Sequence, residues 1–256
     1  MADEDAPIGI ICAIPEEIGH FGDAFDAERE ETCAGFRFYC GRLEGVPTVL
    51  VEGGMGKVNA GLVATLLSDR FGCRALVFSG VAGGVDPHLG IGDVVIAERL
   101  VQHDYGVLQS GRVEPYQPGH LPFFMPTEQL GYHPPQALLD RVRDALADMR
   151  LPPLSAAAAG GAVRHPAIHF GTVLTGDSFL SCIDTRNRLF ASLNGQAVEM
   201  EGAAVAQVAE RFAIPCLVIR SLSDMAGEEN DLDFLAFLQE TASYSAAVLR
   251  RLITVL

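Results

Sequence analysis

The sequence predicts an α/β fold in one domain, and three observations carry that expectation. Nearly uninterrupted apolar runs, IGIICAI (8–14), ALVFSG (75–80) and CLVIRSLSD (216–224), read as strands buried on both faces. Stretches with apolar residues at helical spacing separate them, at 53–71, at 135–149 and from about residue 201. A chain of 256 residues with 49% hydrophobic content is long enough to bury one large core.

Residues 8–14 are the first strand, and Pro15 opens a helix because proline is tolerated in a first turn. Glu16 and Glu17 fall in that turn, where an acid complements the helix dipole or, facing a crevice, serves as a general base. FRFYCGRL (36–43) and VPTVLV (46–51) flank Glu44-Gly45 and read as a hairpin. GGMGKVNAGLVATLLSDRF (53–71) is a glycine-rich strand end running into an amphipathic helix. Gly53, Gly54 and Gly56 let backbone approach a ligand or merely shape a turn. Lys57 is the only lysine, but GGMGK lacks the spacing and the Ser/Thr of a phosphate-binding loop.

The strand ALVFSG leads to a second glycine-rich exit, VAGGVDPHLGIGDVV (81–95), where the amides of Gly83 and Gly84 can meet a polar ligand, and DVVIAERLVQHD (93–104) is a long strand. From Tyr105 to about His133 the chain is irregular and rich in Pro, Gly and aromatics. A loop of this length is usually functional or disordered, and Phe123, Phe124 and Met125 favour a lid or a subunit contact. A helix at 135–149, a surface excursion at 152–166, a strand within 168–180 leaving through Thr175-Gly176-Asp177, and a short helix at 183–193 follow. The segment 198–226 then places Glu199 and Glu201 at a helix entry and Asp224 at a strand exit. FLAFLQETASYSAAVLRRLITVL (234–256) is a closing helix with too many polar residues to span a membrane.

A net charge of −15 without any Lys/Arg cluster opposes nucleic-acid phosphates. No leader-like segment and no run near the roughly 18 apolar residues of a membrane span is visible, so a cytoplasmic protein is expected. Six cysteines are scattered without CxxC spacing and read as core residues. His165 and His169 have HxxxH spacing, but Pro166 and the strand near Ile168 argue against the shared helical face that a metal site needs. No metal and no cofactor is expected.

Glu201 and Asp224 have plainer uses, as a helix-terminus charge and a helix cap. An acid ending a mostly apolar strand is nevertheless costly unless used, and strand ends of an α/β sheet converge on a ligand crevice. The segments IGIICAIPEEI (8–18), GGMGKVNA (53–60), GVAGGV (80–85), GDVV (92–95), TGDSF (175–179), VEMEGAAVA (198–206) and RSLSD (220–224) together resemble the nucleoside phosphorylase superfamily. The resemblance is strongest to its methylthioadenosine/S-adenosylhomocysteine nucleosidases and covers nearly the whole chain.

That resemblance implies a three-layer α/β/α domain with a central mixed, twisted sheet, and a homodimer whose long loop crosses to the second subunit. It implies that Glu17 activates water, that Asp224 protonates the purine at N7, and that Met200 and Glu201 bind the ribose. Arg220, Ser223 and Glu199 would support the site, and Val81, Ala82 and Gly83 would line it. The backbone at Phe179 and Leu180 would hold the purine with Phe179 stacked on it, while Ile14, Met55 and Phe234 would receive the 5′-substituent. Val81 departs from the serine usual in the family, and Pro15 from an acidic residue.

Cleaving an N-glycosidic bond through an oxocarbenium-like sugar needs a proton for the base, a carboxylate near the sugar and an activated nucleophile. Asp224, Glu201 and Glu17 match those three needs. Asp224 must hold its proton near neutral pH, which burial beside other carboxyls favours. The acidic exit at 12–17 repels phosphate and favours water as nucleophile. A phosphate-dependent phosphorylase, a related purine nucleosidase acting for example on aminodeoxyfutalosine, and a non-catalytic nucleoside-binding protein are the alternatives at this level.

Overall fold

The computed structural model describes residues 5–155, 163–227 and 231–256, with side chains at Asp23 and 231–236 outside the description. In chain order the elements are β1 (Ile8–Cys12), α1 (Pro15–Ile18), β2 (Phe25–Cys33), β3 (Phe36–Leu43), β4 (Val46–Glu52), α2 (Lys57–Asp69), β5 (Ala75–Gly84) and β6 (Val94–Gln102). Then come β7 (Gly106–Gln109), β8 (Arg112–Pro115), α3 (Gln136–Leu146), β9 (Ile168–Thr175), α4 (Ile183–Leu193), β10 (Gly195–Glu199), α5 (Gly202–Phe212), β11 (Cys216–Met225) and α6 (Asp231–Leu252).

Nine strands form one mixed sheet in the order β10-β9-β6-β11-β5-β1-β4-β3-β2. Two blocks run in opposite senses: β11, β5, β1 and β4 are mutually parallel, and β6, β9 and β10 oppose them. β10 also pairs antiparallel with the end of β5, Ala197 with Gly84 and Val198 with Gly83, so this end of the sheet curls back on itself. Helices cover both faces, α2 and α5 on one side and α3 and α6 on the other.

The unbroken apolar runs follow from that layering. In β1, Ile8, Ile10 and Cys12 enter the core under α3 and α6 while Ile11 enters the core under α2 and α5. β5 and β11 alternate likewise, with Phe78 and Val218 on one side and Val77 and Ile219 on the other. A residue of a central strand has no solvent side to face.

Several expectations need correction. β5 does not end at Gly80 but runs through Gly84, because β10 and β11 both hydrogen-bond to its glycine-rich end. Glu199 is the last residue of a strand, not part of a helix entry. The stretch 105–133 contains a hairpin, β7–β8, turning at Ser110 (φ 51°) and Gly111 (φ 77°). β2 had no signal in its sequence, FDAEREETC, since it is a largely exposed edge strand. The excursion at 152–166 is exposed over most of its described residues but has an anchor: Leu154 is buried and bridges to Arg164, while residues 156–162 lie outside the description. Among the described residues no helix is long and apolar enough to cross a membrane.

Asp93 of the GDVV segment is part of the scaffold. Its buried carboxyl accepts the amides of Gly90 (3.0 Å) and Ala167 (2.9 Å) and pairs with Arg164 (2.6 Å) and His169 (3.6 Å). Burial pushes this acid up, but the bonds from His169, Ala167, Arg164 and Gly90 outweigh it and hold it below its ordinary range. Asp93→Ala is expected to lower the unfolding free energy by about 2–3 kcal/mol at pH 7, chiefly through the orphaned amides. A carboxyl held low in the fold stabilises above the unfolded value and loses that contribution as pH falls, so the deficit should shrink only below pH ~4. Urea unfolding of both proteins at neutral and acidic pH measures it.

Candidate active site

The acids come together where the two strand blocks meet. Ala13, Ile14 and Glu17 from the β1–α1 connection, Met55, Val81, Ala82 and Gly83 of β5, Phe179, Val198, Glu199, Met200, Glu201, Arg220, Ser223 and Asp224 line one cleft of about 110 Å³. Leu180 lines an adjoining recess that shares Phe179, Met200 and Asp224. Phe234 lies in the first turn of α6, where side chains are outside the description. A larger cavity of about 340 Å³ between α3 and α5 is walled mainly by apolar groups with Arg141 and Glu210, and gathers none of the strand-end acids.

Arg220 is the hub of the cleft. It is 1% exposed, lies 4.1 Å over the Phe78 ring, contacts Glu199 closely and reaches Glu201 at 3.2 Å. Burial alone would weaken its hold on its proton, but Glu199, Glu201 and Glu17 outweigh burial and raise it. Gly80, paired with Arg220 across β5 and β11, makes this possible. A Cβ there would sit 2.2 Å from Glu17 Oε1 and 2.6 Å from Arg220 Nη1.

Glu17 is buried in the single turn of α1, where Pro15 occupies the first position. Its Oε2 accepts the amides of Ala13 (2.7 Å) and Ile14 (3.3 Å), and its Oε1 accepts that of Val81 (2.9 Å). Burial raises its proton affinity, and Arg220 and those amides only partly offset it. One carboxyl thus sits in the first turn of α1 and also lines the cleft.

Glu199 takes the capping duty expected of Glu201. Its Oε2 accepts the amides of Glu201 (3.1 Å) and Gly202 (2.7 Å), and its Oε1 the Thr175 hydroxyl, whose oxygen accepts the Ala203 amide at 2.9 Å. The first turn of α5 is thereby satisfied without Glu201. The Glu201 carboxyl instead crosses to the turn before α2, accepting the Gly56 amide at 2.8 Å and the Met200 amide at 3.3 Å. Burial, then Glu199, push it up to about 7 against the pull of Arg220 and Gly56.

Asp224 owes its position to a break in register. Leu222 pairs with Ala82 but Asp224 with Gly83, so Ser223 is the extra residue of a bulge, which re-aims the side chain that follows. Ser223 Oγ donates to Asp224 Oδ2 at 2.9 Å. Opposite, Gly83 leaves room: a Cβ on it would lie 3.1 Å from Asp224 Oδ1.

Met55 and Phe179, 63% and 58% exposed, stand at the open mouth. The sequence marks Thr175 and Gly80 only as members of the 175–179 and 80–85 segments, without the roles they play here, and does not single out Phe78, which lies under the Arg220 guanidinium. Among the described residues no group of three or more His, Cys, Asp and Glu could hold a metal.

The sequence profile of the phosphorylase superfamily matches residues 7–254. A 5′-methylthioadenosine/S-adenosylhomocysteine nucleosidase of Mycobacterium bovis is 56% identical over 250 residues, 97% of each chain. The crystal structure of the Streptococcus pneumoniae MTA/SAH nucleosidase in complex with 8-aminoadenine superposes with TM-score 0.81 at 31% identity, over 98% of this chain and all of that one. Futalosine hydrolase of Helicobacter pylori superposes with TM-score 0.80 at 29% identity, over 98% of both chains.

The charge balance around Arg220 yields a stability prediction. Glu17 and Glu201 are raised in the fold, so the folded protein keeps protons that the unfolded chain releases above pH ~4.3, and these groups stabilise less as pH rises. Arg220→Met removes the cation that moderates this rise. It is expected to cost about 3–5 kcal/mol at pH 8 and less at pH 5.5, read from urea unfolding at the two pH values.

Proposed function

Since this chain belongs to the 5′-methylthioadenosine/S-adenosylhomocysteine nucleosidase family of the phosphorylase superfamily and hydrolyses the N-glycosidic bond of those nucleosides, we propose that Asp224 protonates the departing adenine and Glu17 activates water. The observation behind this assignment is the convergence of Glu17, Glu201 and Asp224, far apart in sequence, on one cleft.

The C1′–N9 electron pair leaves with the purine, whose N7 takes the Asp224 proton. Ser223, bonded to Oδ2, fixes that carboxyl's orientation. Positive charge gathers on the ribose, where Glu201 takes the hydroxyls and Met200 packs. Hydrogen bonds to a sugar hydroxyl strengthen as the oxocarbenium forms, so this carboxyl favours the transition state over the bound nucleoside. Water adds to C1′ and gives its proton to Glu17; an acid raised by burial is the stronger base once ionised. Adenine and the 5-thio-ribose result.

Phe179 and Leu180 would hold the purine, and Ile14, Met55 and Phe234 the 5′-substituent, with Val81, Ala82 and Gly83 as the wall between. Water rather than phosphate suits this cleft, because the one cationic residue among its described lining, Arg220, is already engaged by Glu199 and Glu201. The Lys57 ammonium faces Asp104 and Asp177. The chain works as a homodimer in the cytoplasm: Phe123, Phe124 and Met125 present exposed apolar surface that a second copy would cover, and the six unpaired thiols suit a reducing compartment.

Incubation with methylthioadenosine, S-adenosylhomocysteine, adenosine, inosine and aminodeoxyfutalosine, each with and without phosphate, tests the reaction. Adenine should be freed from the first two at a rate indifferent to phosphate, and a phosphate requirement would overturn the choice of water. Asp224→Asn and Glu17→Gln should each lower kcat by on the order of 10²–10⁴-fold with the fold intact. Phe123→Asp with Phe124→Asp should shift the sedimenting species from dimer to monomer.

A further inference from the structure

Lys57, the only lysine of the chain, does not line the cleft and has no part in the steps above. Its Nζ lies 2.6 Å from Asp104 Oδ1 and 3.7 Å from Asp177 Oδ2, with the side chain 17% exposed. Both acids also bind backbone. Asp177 Oδ1 accepts the Lys57 amide at 2.8 Å, and Asp104 Oδ2 accepts the Asp177 amide at 2.8 Å. One ammonium thus ties together the turn before α2, the exit of β6 and the exit of β9.

That turn ends in Gly56, whose φ of 93° suits glycine and whose amide is the donor to Glu201 Oε1. A Cβ on Gly56 would lie 3.3 Å from Asp177 Oδ1, so the turn is held closely between Asp177 on one side and Glu201 on the other. Take away the ammonium, and Asp104 and Asp177 become two neighbouring acids with no cation between them. Asp104 shows the dependence: burial pushes it up, and the bonds from Lys57 and the Asp177 amide more than reverse that.

We propose that Lys57 is a positioning residue for the hydrolysis, neutralising Asp104 and Asp177 so that the 53–57 turn presents the Gly56 amide to Glu201 and aims that carboxyl at the sugar. The inference rests on the role given to Glu201 above. The groups facing Glu201 are Glu199 from β10, Arg220 from β11, Glu17 from α1 and the amides of Gly56 and Met200. Of these, Arg220 and the two amides favour its ionised form, so a displaced turn, which withdraws the Gly56 amide, leaves Glu201 both misaimed and harder to ionise.

The test is steady-state kinetics on methylthioadenosine from pH 5.5 to 8.5 for the wild type, Lys57→Met, Lys57→Arg and Asp104→Asn, with thermal midpoints alongside. Lys57→Met should lose on the order of 10- to 100-fold in kcat/KM, mostly in kcat, the scale of one charge-assisted hydrogen bond. Its acid limb should move to higher pH. Lys57→Arg should regain most of the rate with the limb back in place. Asp104→Asn, which keeps the shape but leaves the ammonium only its 3.7 Å contact with Asp177, should move the limb in the same direction by less and serves if Lys57→Met does not fold. A wild type that releases adenine beside a folded Lys57→Met within threefold of it, or a rate loss with an unmoved acid limb, overturns this inference alone. A wild type that releases no adenine overturns the reading of the site on which it stands.

Discussion

One buried guanidinium sets the terms for the rest of the cleft. Arg220 sits in the middle of a central strand, where an unpaired charge would be prohibitive, and survives because Glu199 and Glu201 close on it and Phe78 supports its plane. Conversely, three carboxyls packed this tightly hold together only around such a cation. The constraint spreads outward. Gly80 must lack a side chain, Glu17 must be tethered by three amides, and Glu199 must cap α5 so that Glu201 is released toward the cleft. Buried ion pairs are weak arguments for stability, and this one is better understood as a device that fixes acids in position.

The sheet topology makes the meeting possible. In a purely parallel sheet the strand exits would lie along one rim, with Glu199 and Asp224 on separate strands of that rim. Here β10 arrives from the opposing block and pairs with the end of β5, bringing Glu199 beside Val81 and Ala82 while Asp224 comes in along β11. The glycines of β5 permit both approaches. Their abundance reflects a strand end paired with both β11 and β10, more than a loop around a ligand.

What the sequence reveals follows from what costs energy. β1, β5 and β11 are readable because each buries both faces, and α4 spans the 183–193 expected of it. The acids stand out because Glu17, Glu201 and Asp224 interrupt apolar surroundings, where a carboxyl is expensive without a use. Their partners stay hidden. The Gly56 and Val81 amides carry no side-chain signal, the Thr175 hydroxyl looks like any strand threonine, and the bulge at Ser223 is a matter of register between two strands. Lys57 was visible as the only lysine, yet its partners depend on two turns closing from 47 and 120 residues away. β2 escaped because an exposed strand has no hydrophobic alternation to read.

Because β10 folds back onto β5, the large sheet is left with one open border, and β2 forms it. Strands of other molecules could add to the large sheet there, along a row of unused amides and carbonyls. Asp26, Glu28, Glu30 and Glu31 give that row a predominantly negative character, in a chain already at −15. A stray polypeptide seeking to zip onto it meets repulsion before it can form its first backbone bond, so a protein this rich in buried β-structure carries its own guard against fibril growth.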